Sequence, residues 1–102
     1  MTDIDRIIHE PVRLRILMIL AGVDLADFKF LVSTLGLSRG NLSSHMDKLE
    51  RAGYVDVRKS FNGKIPRTEY RITDVGRKSL SDYWDALDRI RDSSGEDNAL
   101  SR

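Results

Sequence analysis

Three residues, Gly36-Leu37-Ser38, separate two segments whose apolar residues recur with the period of an α-helix. The apolar residues are Phe28, Leu31, Val32 and Leu35 before the break, and Leu42, Met46 and Leu49 after it. Glycine accepts the left-handed conformation that ends a helix, and serine is a favoured N-cap for the next one. Because so short a connection holds the two helices close together, the sequence predicts a helix-turn-helix.

A further helix is predicted before this motif. Pro11 lacks a backbone N–H and therefore suits the first turn of a helix. Apolar residues surround most of that helix, as expected for a central one, and leave Arg13 and Arg15 to its exposed side. Asp24 or Asp27 can cap the first helix of the motif, because a carboxylate accepts hydrogen bonds from the free N–H groups of a first turn.

Both ends of the chain carry apolar stripes. Ile4, Ile7 and Ile8 have the spacing of a short amphipathic helix, and Thr73 can cap a final helix bearing Leu80, Tyr83, Trp84, Leu87 and Ile90. A small core covers only part of such stripes, and an uncovered apolar patch favours association, so these residues are the predicted dimer interface. The alternative is that both stripes pack on the chain's own core. From Ser93 the chain is polar. We expect one domain over residues 1–92 and a flexible tail over residues 93–102.

After the second helix of the motif, apolar residues no longer recur with the helical period but alternate with charged residues. Val55 and Val57 alternate with charged residues, and so do Tyr70 and Ile72. Alternation of this kind is typical of half-buried strands. The Asn-Gly pair at residues 62–63 marks a reverse turn between them. The sequence therefore predicts a two-stranded hairpin with a long basic loop over residues 61–66.

Charge is unevenly distributed along the chain. Residues 38–72 hold eight basic and four acidic residues, a net charge of +4, whereas the remainder has a net charge of −3. A local basic face indicates a polyanionic partner more reliably than the total of +1 does. Scatter over an ordinary solvated surface is the alternative interpretation of the charges alone.

The helix predicted over residues 38–52 has two distinct faces. Leu42, Met46 and Leu49 form the inner face, with His45 at its boundary. The opposite face is small, polar and able to hydrogen-bond, and such a face fits the major groove of duplex DNA, which is about 12 Å wide. The positive N-terminal end of the helix favours a phosphate.

Twelve residues are predicted to bind double-stranded DNA. They are Ser38, Arg39, Gly40, Asn41, Ser43, Ser44 and Lys48 on the helix, and Arg58, Lys59, Asn62, Lys64 and Arg67 on the hairpin. Contacts to base edges are expected from Arg39, Asn41, Ser43 and Ser44. The basic residues Lys48, Arg58, Lys59, Lys64 and Arg67 are expected to contact phosphates.

The segment Leu37 to Val55 closely resembles the recognition-helix region of small prokaryotic winged-helix transcriptional regulators of the MarR- and ArsR-like type. Residues 59–68 resemble their wing, residues 72–77 their entry into the last helix, and residues 11–17 their first helix. The resemblance implies an α+β, mostly helical, winged helix-turn-helix with N- and C-terminal dimerisation helices. It also implies a homodimer bound to an inverted-repeat operator, with the wing, residues 58–67, on the backbone or in the minor groove. A cytoplasmic location is expected from the sequence itself, since no leader is recognisable.

Other functional classes have less support. The chain has no cysteine, and its two histidines, His9 and His45, are predicted on separate helices without an evident carboxylate partner. No metal, cofactor or catalytic site is therefore expected, and an enzyme would need a pocket that converges on His45, Asp47 and Glu50. The longest apolar run, residues 16–21, is far too short to cross a bilayer, and no leader is recognisable.

Two questions stay open at the level of sequence. The chain is shorter than typical MarR proteins, whose longer helical arms form a ligand crevice, so the resemblance leaves a small-molecule effector open. The alternative function is that of a winged-helix protein–protein interaction module without specific DNA binding. The basic hairpin argues for DNA.

Overall fold

The computed structural model describes the backbone of residues 3–100 and the side chains of residues 3–93. In chain order its elements are α1 (Pro11–Ala21), β1 (Ala26–Asp27), α2 (Phe28–Leu35), α3 (Arg39–Arg51), β2 (Val55–Asn62), β3 (Ile65–Ile72) and α4 (Asp74–Leu100). The three strands form an antiparallel sheet in the order β1-β3-β2. The architecture is therefore α+β and mostly helical, as the sequence predicts.

Local hydrogen bonds fix the tight turn between α2 and α3. Gly36 is left-handed, with φ of 64°, and its N–H donates to the carbonyl of Val32 over 2.9 Å. The Ser38 hydroxyl accepts from the N–H of Asn41 over 3.1 Å and caps α3, while the Asp27 carboxylate caps α2. The helix-turn-helix prediction is confirmed, and Asp27 rather than Asp24 is the cap.

The core holds α3 by its inner face. Leu42, Met46 and Leu49 are buried against α1, α2 and the base of the sheet. The other core residues include Ile16, Leu17, Leu20, Leu31, Leu35, Val55, Tyr70, Ile72, Leu80 and Tyr83. Burial of a large apolar side chain contributes about 1.5–3 kcal/mol, so this contact fixes which side of α3 is turned outward.

The predicted N-terminal helix is wrong. Residues 3–10 form a single turn. The side-chain carboxylate of Asp5 accepts from the N–H groups of Ile7 and Ile8, and the backbone carbonyl of Asp5 accepts from the N–H of His9. Glu10 is then extended, with φ of −154° and ψ of 130°, as a residue before proline prefers. The spacing of the three isoleucines therefore belongs to one turn rather than to a helix, and this turn places Ile8 in the core.

The hairpin is more regular than predicted. Strand β2 ends at Asn62 and strand β3 begins at Ile65, so a two-residue turn replaces the predicted long loop. Gly63 has φ of 65°, and a positive φ at the first central residue alone is the pattern of a type II′ turn. The sheet also gains the unpredicted strand β1, in which Ala26 pairs with Tyr70 and Asp27 with Glu69.

Helix α4 is capped as predicted. The Thr73 hydroxyl accepts from the N–H of Gly76 over 2.9 Å and donates to the carbonyl of Gly53 over 2.6 Å, which joins α4 to the end of α3. The helical backbone continues to Leu100, past the position at which the folded domain is predicted to end. The domain boundary and the flexibility of the tail stay predictions, and residues 101–102 lie outside the described part.

Candidate nucleic-acid interface

The outward face of α3 is open along its length. Arg39, Gly40, Asn41, Ser43, Ser44 and Lys48 are all exposed, and no described part of the chain covers them. Ser38 is exposed as well, although its hydroxyl already caps the helix. Near the C-terminal end, Asp47 pairs with Arg51 over 3.0 Å, which neutralises the acidic residue on this face.

A groove of about 560 Å³ joins the N-terminal end of α3 to the hairpin. Five predicted DNA-binding residues line it, namely Arg39, Ser43, Lys59, Asn62 and Arg67. Asn41, Ser44, Lys48, Arg58 and Lys64 do not line it and are exposed elsewhere on α3 and the hairpin. The structure thus places the start of α3 and the middle of the hairpin side by side.

Arg39 is held in this groove by an aromatic ring. Its guanidinium carbon lies 4.9 Å from the centroid of the Phe28 ring, within the range of a cation–π contact. Phe28 in turn packs against Tyr70, with 6.5 Å between ring centroids. This stacking orders the guanidinium group while leaving the residue exposed.

The basic residues of the hairpin have different surroundings. Consecutive residues of a strand point to opposite faces, so Arg58 and Lys59 do not share a face. Arg58 lines a second groove with Asp56 and Arg71, away from the start of α3. Nη2 of Arg67 lies 3.8 Å from Oδ2 of Asp27 and 3.7 Å from Oε2 of Glu69, so the charge of Arg67 is partly compensated within the chain.

One cation of this surface, Lys29, is not among the residues predicted to bind DNA. Lys29, in the first turn of α2, lines the same groove as Arg39 and Lys59. It lies outside residues 38–72, so the count of charges along the chain did not include it. The N-terminal position of Lys29 on the first helix of a helix-turn-helix, the helix that crosses the DNA backbone, is the signal that could have found it.

A polar cluster under α3 ties it to the N-terminal segment. Arg13 is only 9% exposed, which corrects its predicted placement on the surface. Its Nε donates to the carbonyl of Ile7 over 2.6 Å, and its Nη1 lies 3.2 Å from Nδ1 of His45 on α3. His45 also has a carboxylate partner that the sequence did not reveal. This partner is Glu10, whose Oε2 lies 3.4 Å from Nδ1 of His45. His9, in the turn, lies 2.8 Å from the Tyr83 hydroxyl.

Glu10 is the acidic centre of this cluster. Burial raises the pKa of Glu10, but the N–H groups of Val12 and Arg13, together with the charges of His45 and Arg13, outweigh that effect and hold the pKa below the ordinary value of a glutamate. A carboxylate with a lowered pKa in the folded state stabilises the fold above its unfolded pKa, and this stabilisation is lost as the pH falls through the folded value.

Glu10→Gln is therefore expected to lower the free energy of unfolding at pH 7 and to have progressively less effect as the pH falls through the lowered pKa of Glu10, where the carboxylate of the folded wild type becomes protonated. Urea unfolding of both proteins between pH 3 and pH 7 measures the difference. Glu50→Gln, on the exposed side of α3, is the matched control. A Glu10→Gln effect that is the same at both ends of this range contradicts the assigned role.

The predicted dimer residues fall into three groups. Ile8, Leu80 and Tyr83 are buried in the chain's own core, so they offer a partner no surface. Ile4, Ile7 and Leu87 are half-buried. Trp84 and Ile90 are 39% and 43% exposed, and both lie on α4.

Other kinds of site find no support in the described residues. Within residues 3–93, no group of three or more histidine, aspartate or glutamate side chains is placed to hold a metal ion. Neither described groove brings His45, Asp47 and Glu50 together. No helix in the described chain combines the length and apolarity needed to cross a membrane.

Comparison with known proteins identifies the family. The family described as winged helix DNA-binding domain matches residues 12–91, most of the chain. The chain belongs to this winged-helix family. An uncharacterized protein of Methanocaldococcus jannaschii is 37% identical over 79 residues, covering 76% of this chain and 85% of its own.

Solved structures agree with this assignment. A transcriptional regulator homologue from Pyrococcus horikoshii superposes with a TM-score of 0.80 at 35% identity, covering 87% of this chain and 88% of its own. Rv0081 of Mycobacterium tuberculosis superposes with a TM-score of 0.72 at 27% identity, covering 87% of this chain and 86% of its own. In the terms of the winged helix, α3 is the recognition helix and the hairpin β2–β3 is the wing. The predicted winged-helix architecture is thereby confirmed.

Proposed function

We propose that this winged-helix protein is a cytoplasmic transcriptional regulator that binds an inverted-repeat operator as a homodimer. The recognition helix of each protomer enters the major groove of one half-site, and the wing contacts the backbone or the minor groove beside it. One observation carries the proposal: the uncovered polar face of α3 adjoins the basic wing through a shared groove.

The geometry supports a division of roles among these residues. Asn41 and Ser44 are exposed on α3 and can hydrogen-bond to base edges, while Arg39 and Ser43 lie where α3 meets the wing. Lys59 of the wing and Lys29 of α2 line that junction as well, which suits a phosphate bound there. Gly40 has no neighbouring atom within 4 Å of a Cβ position, so its lack of a side chain leaves space for DNA rather than for the protein's own chain.

The experiment that tests DNA binding is a fluorescence anisotropy titration of a labelled random-sequence duplex at increasing salt. Each phosphate contacted by a lysine or arginine releases counterions, so the logarithm of the affinity falls linearly with the logarithm of the salt concentration. A slope corresponding to several phosphate contacts is expected. Absence of salt-dependent binding would favour the alternative, a winged-helix module that binds another protein.

The dimer is assigned to the outer side of α4. A helix of 27 residues is about 40 Å long, and the molecule measures 65 × 26 × 20 Å, so α4 extends beyond the core. Trp84, Leu87 and Ile90 follow one another at three-residue spacing along it, and the first and last are exposed. Pairing of this stripe with the same stripe of a second copy would bury it.

Trp84→Ala is expected to weaken the dimer, because it removes the largest side chain of that stripe. Sedimentation equilibrium should show a dimer for the wild type at micromolar concentration and a shift toward monomer for the variant. Val75→Ala, an exposed apolar residue in the first turn of the same helix, should leave the equilibrium unchanged. A wild-type monomer at every accessible concentration contradicts the homodimer.

A further inference from the structure

The tip of the wing exposes large apolar side chains. Phe61 is 74% exposed and Ile65 is 59% exposed, on either side of the two-residue turn. Phe61 lies opposite Pro66 across the hairpin, and Asn62 lies opposite Ile65. Ile65 and Pro66 line the groove toward the recognition helix, whereas Phe61 does not. Phe61 is therefore the apolar side chain of the tip that has no surface of the described chain to cover it.

The charges around the tip select the class of partner. Residues 57–68 contain four basic residues and no acidic one. Among the described side chains, Lys59 and Lys64 form no ion pair. In duplex DNA, anionic phosphates lie on the outside and the apolar faces of the stacked bases lie behind them. An apolar tip flanked by unpaired cations is complementary to this arrangement.

The free edge of β3 near the tip is poorly suited to pairing with a second copy of the wing. The short strand β1 reaches β3 only at Glu69 and Tyr70, so the part of β3 nearer the tip has a free edge. Pro66 lies on that part and cannot donate a backbone hydrogen bond to an added strand. Pairing of two wings through the β3 edge is therefore disfavoured.

We propose that Phe61 is a wedge that enters the minor groove and partly unstacks one base step beside each half-site. This inference rests on the proposed DNA binding and adds a deformation of the duplex to it. Lys59 and Lys64 hold the flanking phosphates while the phenyl ring opens the step and bends the duplex. Because pyrimidine–purine steps unstack most easily, the wedge adds a sequence preference at a position that the recognition helix does not touch.

The test compares Phe61→Ala with Phe30→Ala in the full chain. Phe30 is a second half-exposed phenylalanine, on α2 and outside the groove, and serves as the matched control. The probe is a 40-base-pair duplex, selected by the wild-type protein from a random pool, with donor and acceptor dyes at its ends and 2-aminopurine at the flanking pyrimidine–purine step. Energy transfer reports bending, and 2-aminopurine fluorescence reports unstacking.

Wild type and Phe30→Ala are expected to bend the duplex and to raise 2-aminopurine fluorescence. Phe61→Ala should lose both signals and bind about tenfold more weakly, since a base–aromatic contact is worth roughly this factor. Equal bending and affinity for Phe61→Ala would overturn the wedge and leave DNA binding standing. Failure of the wild type to enrich any duplex from the random pool would overturn DNA binding itself. A Phe61→Ala effect confined to self-association, or to binding of anionic phosphatidylserine vesicles, would assign the tip to another partner and overturn the wedge.

Discussion

Gly76→Ala is expected to lower the free energy of unfolding by about 3 kcal/mol, a large effect for the addition of one methyl group. Gly76 is buried in the first turn of α4. A Cβ at this position would overlap the carbonyl oxygen of Tyr54 and would lie 2.9 Å from Cγ1 of Ile72. The first contact is with backbone, so no side-chain rotation relieves it.

The same carbonyl already joins two parts of the fold. The Tyr54 oxygen accepts from the N–H of Thr73 over 3.0 Å, and the Thr73 hydroxyl caps α4 at Gly76. Moving α4 away to admit a methyl group therefore disturbs the bond between the end of the recognition helix and the start of α4. The cost combines steric strain with the loss of this hydrogen bond.

Urea unfolding followed by circular dichroism measures the change, and Gly40→Ala is the matched control. A Cβ at Gly40 meets no atom within 4 Å, and alanine is the better helix former, so that variant should be at least as stable as the wild type. Equal stability of Gly76→Ala and the wild type would show that α4 does not pack on the Tyr54 carbonyl as described.

Arg39→Ala and Lys64→Ala are expected to weaken DNA binding in different ways. Arg39 lies at the start of the recognition helix, where loss of a base contact should reduce discrimination at one base pair of each half-site by about 1–3 kcal/mol. Lys64 lies in the turn of the wing, where loss of a phosphate contact should weaken binding to every sequence and reduce the salt slope by about one.

Anisotropy titrations against a specific duplex and against random duplexes, each over a range of salt, separate the two effects. Arg51→Ala controls for loss of a cation from the same helix, because Arg51 is at the C-terminal end and pairs with Asp47. It should leave base discrimination unchanged. Equal losses on specific and random DNA for both Arg39→Ala and Lys64→Ala contradict the separation into base and phosphate contacts.

Local signals of the chain were sufficient to predict the centre of the fold. Gly36 and Ser38 have the conformation and the capping bond that their positions in the sequence predict, because both depend on residues within one turn. The helical spacing of the apolar residues likewise predicted the inner face of α3, and burial of that face determines which face of the helix is open. The exposed predicted residues of α3 follow directly from that pattern.

Features that depend on distant contacts were not predictable in this way. Arg13 is buried because the turn over residues 3–10 covers it and His45 of α3 lies against it. Strand β1 is only two residues long and exists because β3 provides its partner. Neither a buried arginine nor a two-residue strand has a periodic signal.

The extent of the hairpin was underestimated for a related reason. Phe61, Ile65 and Pro66 interrupt the alternating pattern of a half-buried strand, since the tip has no buried face. The strands continue there because cross-strand pairing, down to Asn62 and Ile65, satisfies the backbone. Tertiary contact also joins Lys29 to the candidate site, which charge counted along the chain could not show.

The most direct test of the central claim is selection of bound sequences by the wild-type protein from a random duplex pool at moderate salt. If the open face of α3 reads the major groove in each half of a dimer, the selected sequences converge on an inverted repeat whose half-site centres lie about one helical turn apart. The same selection with Arg39→Ala should lose the preference at one symmetric pair of positions. Recovery of no common sequence, or of one that Arg39→Ala reads identically, contradicts the claim.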